Sequence, residues 1–134
     1  MIDFNTLDLT AQGEAGYTLQ LLHPKNQTEL EGVTIKIRGD KSRTVQQFER
    51  KRLNELQNKE RVLKGKNKEM TFTAEELERM AIEAAVVRVI SWSGINENGE
   101  PVPFNEENAT YMFEKFSWMR DQVREAAEDL DNFC

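Results

Sequence analysis

With 134 residues and 15.6 kDa, the chain has the length of one domain, and at 38% apolar and 31% charged residues it is polar-leaning yet able to build a core. One cysteine, Cys134, and one histidine, His23, exclude a disulfide framework, a cysteine-based zinc cluster and any chemistry that needs two imidazoles. The formal charge of −6 is divided unevenly: residues 1–35 carry one base and five acids, residues 36–68 twelve bases and four acids, and residues 69–134 five bases and fifteen acids.

In chain order, residues 17–22 and 33–37 alternate apolar and polar side chains (Tyr17, Leu19, Leu21, then Val33, Ile35, Ile37), which predicts two strands with one wet face. His23-Pro24-Lys25-Asn26-Gln27-Thr28 between them is turn chemistry, and Gly16 and Gly39 punctuate the outer ends. A β-hairpin is expected. Two strands alone are marginal in water, so the apolar face must pack on helices or gain strands from another copy.

A helix is predicted from about Thr44, where Thr44 and Gln47 have capping-box spacing, to about Lys64, with Gly65 as its stop. Its apolar stripe is thin (Val45, Phe48, Leu53, Leu56, Leu63), and Glu55–Lys59 and Glu60–Lys64 are i,i+4 pairs. Such a helix is expected to be half exposed and to project from the body. Lys64–Lys68 reads as a mobile loop. The next helix is the best specified: Phe72, Thr73, Glu76 and Leu77 fit both a capping box and a hydrophobic staple. Leu77, Met80, Ala81, Ala84 and Val87 recur at helical spacing, and Ala85, Val86, Val89 and Ile90 widen the arc. This helix is expected to be the most buried.

Ser91 to Phe104 is expected to be a loop, broken by Asn98-Gly99 and two prolines. Asn105 is the predicted N-cap of a third helix that packs through Ala109, Met112, Phe113 and Phe116. Ser117 either caps a fourth helix or lies inside one continuous helix; Met119, Val123, Ala126 and Leu130 form the following apolar face, and Phe133 ends it. Seven of the eleven aromatic residues lie between Trp92 and Phe133, which places the principal core in the C-terminal half. The pattern predicts an α+β fold, mainly helical, with an N-terminal β-hairpin packed against three or four α-helices. It is expected to be a single domain, 1–134, made of a β-hairpin region (1–43), a basic and partly exposed helix and loop (44–68) and an acidic helical core (69–134).

No apolar run approaches the ~20 residues of a bilayer span. The first residues carry Asp3 where a signal peptide carries base, so a soluble cytoplasmic protein is expected. His23 is the one ordinary general base, but it sits in a turn before Pro24 with no motif placing a nucleophile beside it. Asn96-Glu97-Asn98-Gly99-Glu100 fails the register of a calcium loop and fits an Asn-Gly turn. Paired carboxylates are abundant (Glu75/Glu76, Glu106/Glu107, Glu128/Asp129), but the helix dipole accounts for acids crowded into first helical turns, and nothing places two of them across a cleft. The glycines never cluster as a phosphate-binding loop. No enzyme activity, metal or cofactor is expected.

The strongest charged feature is Arg50-Lys51-Arg52 with Lys59, Arg61, Lys64, Lys66 and Lys68. It reads equally as a solvated helix face and as a partner site. Aromatic interleaving is confined to Phe48, and a pI near 4.9 weakens a polyanion partner, so protein is favoured over nucleic acid. The candidate partner-binding residues are Val45, Phe48, Arg50, Lys51, Arg52, Leu56 and Leu63. Opposite charges on residues 36–68 and 69–134 further suggest a homo-oligomer whose copies stack head to tail.

Taken together, the hairpin Gly16–Pro24 and Val33–Ile37, the Gly39-Asp40-Lys41-Ser42 turn, the stretch Trp92-Ser93-Gly94-Ile95 through Gly99–Phe104 to Glu107-Asn108, and the ending Gln122-Val123, Ala126, Asp129, Asn132-Phe133 resemble tail assembly chaperones of long-tailed, siphovirus-type bacteriophages. The resemblance spans most of the chain. It implies a non-enzymatic helper that binds the tape measure protein, keeps it soluble and recruits tail tube subunits in the host cytoplasm, and that is absent from the mature virion. It carries over no catalytic residues. The rival expectations are a nucleic-acid-binding phage accessory protein, and a structural virion component such as a head–tail connector.

Overall fold

In the computed structural model, which describes residues 1–134, the alternating segments pair as a hairpin of β1 (Tyr17–Leu22) and β2 (Glu29–Ile37). The antiparallel register sets Tyr17 opposite Ile37 and Leu19 opposite Ile35, so period two puts Leu21, Ile35 and Ile37 in the interior. The fold is α+β and mainly helical: α1 (Leu9–Ala15), α2 (Arg43–Gly65), α3 (Ala74–Arg88), α4 (Glu106–Lys115) and α5 (Ser117–Glu128) surround a small sheet. One core of fifteen residues joins hairpin and helices, and all but Leu21, Ile35 and Ile37 come from Ile82 onward.

The sheet has a third strand where a loop was expected. Helix α3 stops at Arg88, and β3 (Val89–Ser93) pairs antiparallel with β2, giving the order β1-β2-β3. Val89 and Ile90 therefore belong to a strand and do not widen the helical arc. Val-Ile-Ser-Trp-Ser is β-branched and alternating, and pairing of Ile35 with Trp92 and Ile37 with Val89 rewards the extended form. Beyond it, β4 (Asn96–Glu97) and β5 (Glu100–Pro101) make a minimal hairpin on the expected Asn98-Gly99 turn, both residues with positive φ. Gly94 also has φ +78, and a Cβ there would collide with the Gly32 carbonyl, so the strand's exit tolerates only glycine.

Several other expectations are corrected. Helix α2 is capped by Ser42, whose Oγ accepts from the Val45 N–H at 3.2 Å, and not by Thr44, whose N–H donates to Glu14 Oε1 at 2.7 Å. Lys66 and Lys68 close the end of α2 by donating their backbone N–H groups to Leu63, so the predicted loop is a hydrogen-bonded turn. Helix α3 has the predicted capping box at Thr73 and Glu76, but its buried face is Ile82, Ala85 and Arg88, and Leu77 is exposed. The most buried helix is instead α5, through Met119, Val123, Ala126 and Ala127. Helices α4 and α5 are separate, broken at Phe116, with Ser117 as the first residue of α5 and no side-chain cap. Leu130 is exposed, whereas Phe133 is buried edge-on to Tyr17 at 6.1 Å between ring centres.

Helix α1 had no counterpart among the expected elements. Asp8 caps it by accepting from the Ala11 N–H, and Gly13 lets its backbone pass close to Ser42, with Gly39 N–H donating to the Gly13 carbonyl. Val45 is sealed into the interior at the start of α2, and it is the one buried residue of that helix. The rest of α2 stands away from the core. The accessible surface of 9261 Å² accordingly exceeds the ~7,200 Å² typical of a compact monomer of this mass.

Candidate functional site

A buried cation fixes the base of the projecting helix. Arg88, at the end of α3, donates through Nε to Asp40 Oδ1 (2.8 Å), through Nη1 to the Ala84 carbonyl (2.6 Å) and through Nη2 to Glu49 Oε1 (2.9 Å). Three segments, the Gly39–Ser42 turn, α2 and α3, meet on this one guanidinium. Arg38 makes a second tie, donating Nη1 to the carbonyls of Val87 and Val89 across the α3–β3 junction. Neither residue was singled out by its sequence; the signal available was a lone arginine among apolar neighbours at 84–90.

The predicted partner-binding residues are placed in different surroundings. Val45 is fully buried and unreachable by a partner. Arg52 is spent within the chain: Nη2 donates to Glu83 Oε2 (2.7 Å), Nη1 to the Met80 carbonyl (2.8 Å), and the guanidinium stacks 4.6 Å from the Phe48 ring centre. Leu56 and Leu63 are half-buried, and the neighbouring Lys59 lies over the Phe72 ring of the segment that returns from α2. Phe48 is half-buried in the wall of a groove, and Arg50 and Lys51 point freely into solvent. Of the two predicted i,i+4 pairs, only Glu60–Lys64 forms, at 3.1 Å.

Two concave surfaces remain open. The first is a groove along the antiparallel seam of α3 and α4. At one end it has an apolar floor of Phe48, Val86, Val87 and Phe104, about 420 Å³ in volume. Through Glu83, Glu106 and Thr110 it continues into a wider acidic stretch of about 670 Å³, where Glu75, Glu78 and Glu114 join them against the single cation Arg79. The second is an apolar recess of about 240 Å³ where the β1–β2 hairpin, the Gly94–Asn96 segment that follows β3 and the α4–α5 break meet. Leu30, Val33, Met112, Phe116 and Trp118 line it, and no charged side chain does. Sequence reasoning missed this recess because Leu30 and Trp118 lie far apart along the chain, and only the packing of α5 on the hairpin brings them together.

The remaining candidates are structural in place. His23 Nδ1 accepts from the Lys25 N–H within the hairpin turn. Glu97 joins Tyr111 (2.9 Å) and Lys115 (3.3 Å), tying the small hairpin to α4; the bonds that the Lys115 ammonium donates to the Tyr111 hydroxyl and the Glu97 carboxylate raise its pKa above the ordinary value. No three of His, Cys, Asp or Glu converge in a metal-holding group, and no helix is long and apolar enough to cross a membrane.

No curated protein and no solved structure matches the chain. A family match does exist, and it runs over residues 40–134, from the turn held by Arg88 through α2 and the whole helical core. It covers well over half of the chain, including both open surfaces except for Leu21, Leu30 and Val33 of the recess and Arg38 of the groove. The chain belongs to the YdaY prophage protein family.

Proposed function

We propose that this prophage protein is a tail assembly chaperone: a non-enzymatic helper that binds the tape measure protein and brings tail tube subunits to it. The observation that carries this reading is the open apolar recess lined by Leu30, Val33, Phe116 and Trp118. A tape measure is a long, mostly helical chain whose apolar stripe must be covered before assembly. A recess that takes one or two apolar side chains suits helix-in-groove recognition, repeated weakly along the stripe by many copies. The sequence layout resembling tail chaperones and the prophage family support the same reading. On this reading the protein acts in the host cytoplasm and departs before the virion is complete.

The test is co-expression with the tape measure protein encoded by the same prophage. The wild-type chain keeps that protein soluble and co-purifies with it. Leu30→Glu places a charge at the rim of the recess and should cut recovery of the complex at least tenfold while the circular dichroism spectrum is unchanged. Equal solubility of the tape measure with and without the chaperone removes the proposal.

A further inference from the structure

The outer face of α2 carries a row of cations of which only Lys64 is paired within the chain, with Glu60. At 100° per residue, Arg50, Arg61 and Lys64 share one side of the helix with Asn54 and Gln57, opposite the side that Leu56 and Leu63 turn toward the body. Arg50, Lys51 and Arg61 form no ion pair. The row extends about 21 Å along the helix, and the exposed side chains of Leu53 and Val62 flank it.

The matching surface is on the same chain. In the α3–α4 groove, Glu83 is engaged by Arg52 and Glu78 lies 3.8 Å from Arg120, but Glu75, Glu106 and Glu114 have no ion-pair partner. The groove is thus apolar-floored at one end and acidic at the other, and α2 is a basic helix with apolar flanks. Its own α2 lies beside the groove, with Phe48 in the wall, so the distal half of that helix is left for another molecule. The surface in excess of a compact monomer, about 2,000 Å², is of the size that two standard contacts of about 800 Å² per side would cover on each copy.

We propose that the outer face of α2 in one copy docks into the α3–α4 groove of a second copy, so that the chain associates with itself head to tail. Helix and groove are different patches, so the contact is heterologous: each added copy leaves one helix and one groove free, and the array closes into a ring or stays open. The unpaired Glu75, Glu106 and Glu114 of the groove favour a second copy as the occupant of the basic helix face, whereas a polyanion offers no apolar-floored groove and is repelled by the molecule as a whole. The inference stands apart from the tape measure reading, because it is tested on this protein alone.

Sedimentation velocity of the full chain over a concentration series is the experiment, with Arg50→Glu/Arg61→Glu on the helix and Glu75→Lys/Glu114→Lys in the groove. All four residues are exposed, and circular dichroism checks that both variants fold. Each variant alone is expected to weaken self-association at least tenfold, and 0.5 M salt should weaken the wild type. Mixing the two variants should restore association, because an acidic helix then meets a basic groove. A wild-type chain that stays monomeric to millimolar concentration overturns the proposal, as does loss in both variants without rescue on mixing. A monomeric wild type retained on duplex DNA, with retention lost in Arg50→Glu/Arg61→Glu, would instead assign the helix face to nucleic acid.

Discussion

At the scale of single residues, the joint beneath the projecting helix depends on side chains whose partners lie far away in sequence. Arg88 is nine-tenths buried and uses three of its donors on Asp40, Glu49 and Ala84. Removing it leaves Asp40 without its cation, although both carboxylates keep some contact with water, so the cost is smaller than for a fully buried pair. Arg88→Ala is expected to lower stability by roughly 2–4 kcal/mol in urea unfolding. Glu14 gives the joint a pH dependence. It accepts from the side chain and backbone N–H of Thr44 at the start of α2, and these bonds, with Arg38 and Arg43 nearby, hold its carboxyl below the ordinary 4.5. A depressed carboxylate stabilises the fold fully above its unfolded value and loses that contribution as pH falls through the folded value. Unfolding free energy should therefore decline below pH 4.5, and Glu14→Gln should flatten that acid limb. Equal acid slopes for the two proteins would show that Glu14 makes no such contribution.

At the scale of elements, local signals were decisive wherever they were also the final arrangement. The capping box at Thr73 and Glu76, the Asn105 cap of α4 and the Asn98-Gly99 turn all stand as their residues predicted. Helix α2 shows how a similar signal misleads. Thr44 and Gln47 have the right spacing, but Ser42 lies against Gly13 of α1 and fills the cap first. Ser42→Ala should cost about 1 kcal/mol, since a lost cap leaves the Val45 N–H unpaired. Thr44→Ala removes no cap but takes away the hydroxyl that Glu14 accepts from, so its cost should fade in acid while that of Ser42→Ala persists; thermal midpoints at neutral and acid pH separate the two. Strand β3 was unreadable for a related reason. Val89 and Ile90 continue a helical arc, and only a partner strand fifty residues upstream makes the extended form the better choice. Element type in a short apolar run is set by what it pairs with.

For the whole molecule, composition and charge division made the class and the projecting helix legible, but not the surfaces that work. The stripe expected to meet a partner through Val45, Leu56 and Leu63 is turned inward, and the open apolar surface is assembled from the hairpin, the Gly94–Asn96 segment and the α4–α5 break. Such a recess has no signature in any one segment, because its walls are non-local. The charge division, by contrast, survives folding: the bases collect on the outer side of α2 and the acids along the α3–α4 seam.

The central place of β2 also bears on how the protein is made. Its first neighbour, β1, leaves the ribosome before it, but its second, β3, follows only after about fifty more residues have been added. At about 5–20 residues per second, that interval lasts roughly 3–10 s. Throughout it, the row of peptide groups on β2 that β3 later covers stays bare, and Lys36, exposed on its polar face, is a charge that discourages a neighbouring polypeptide from joining it.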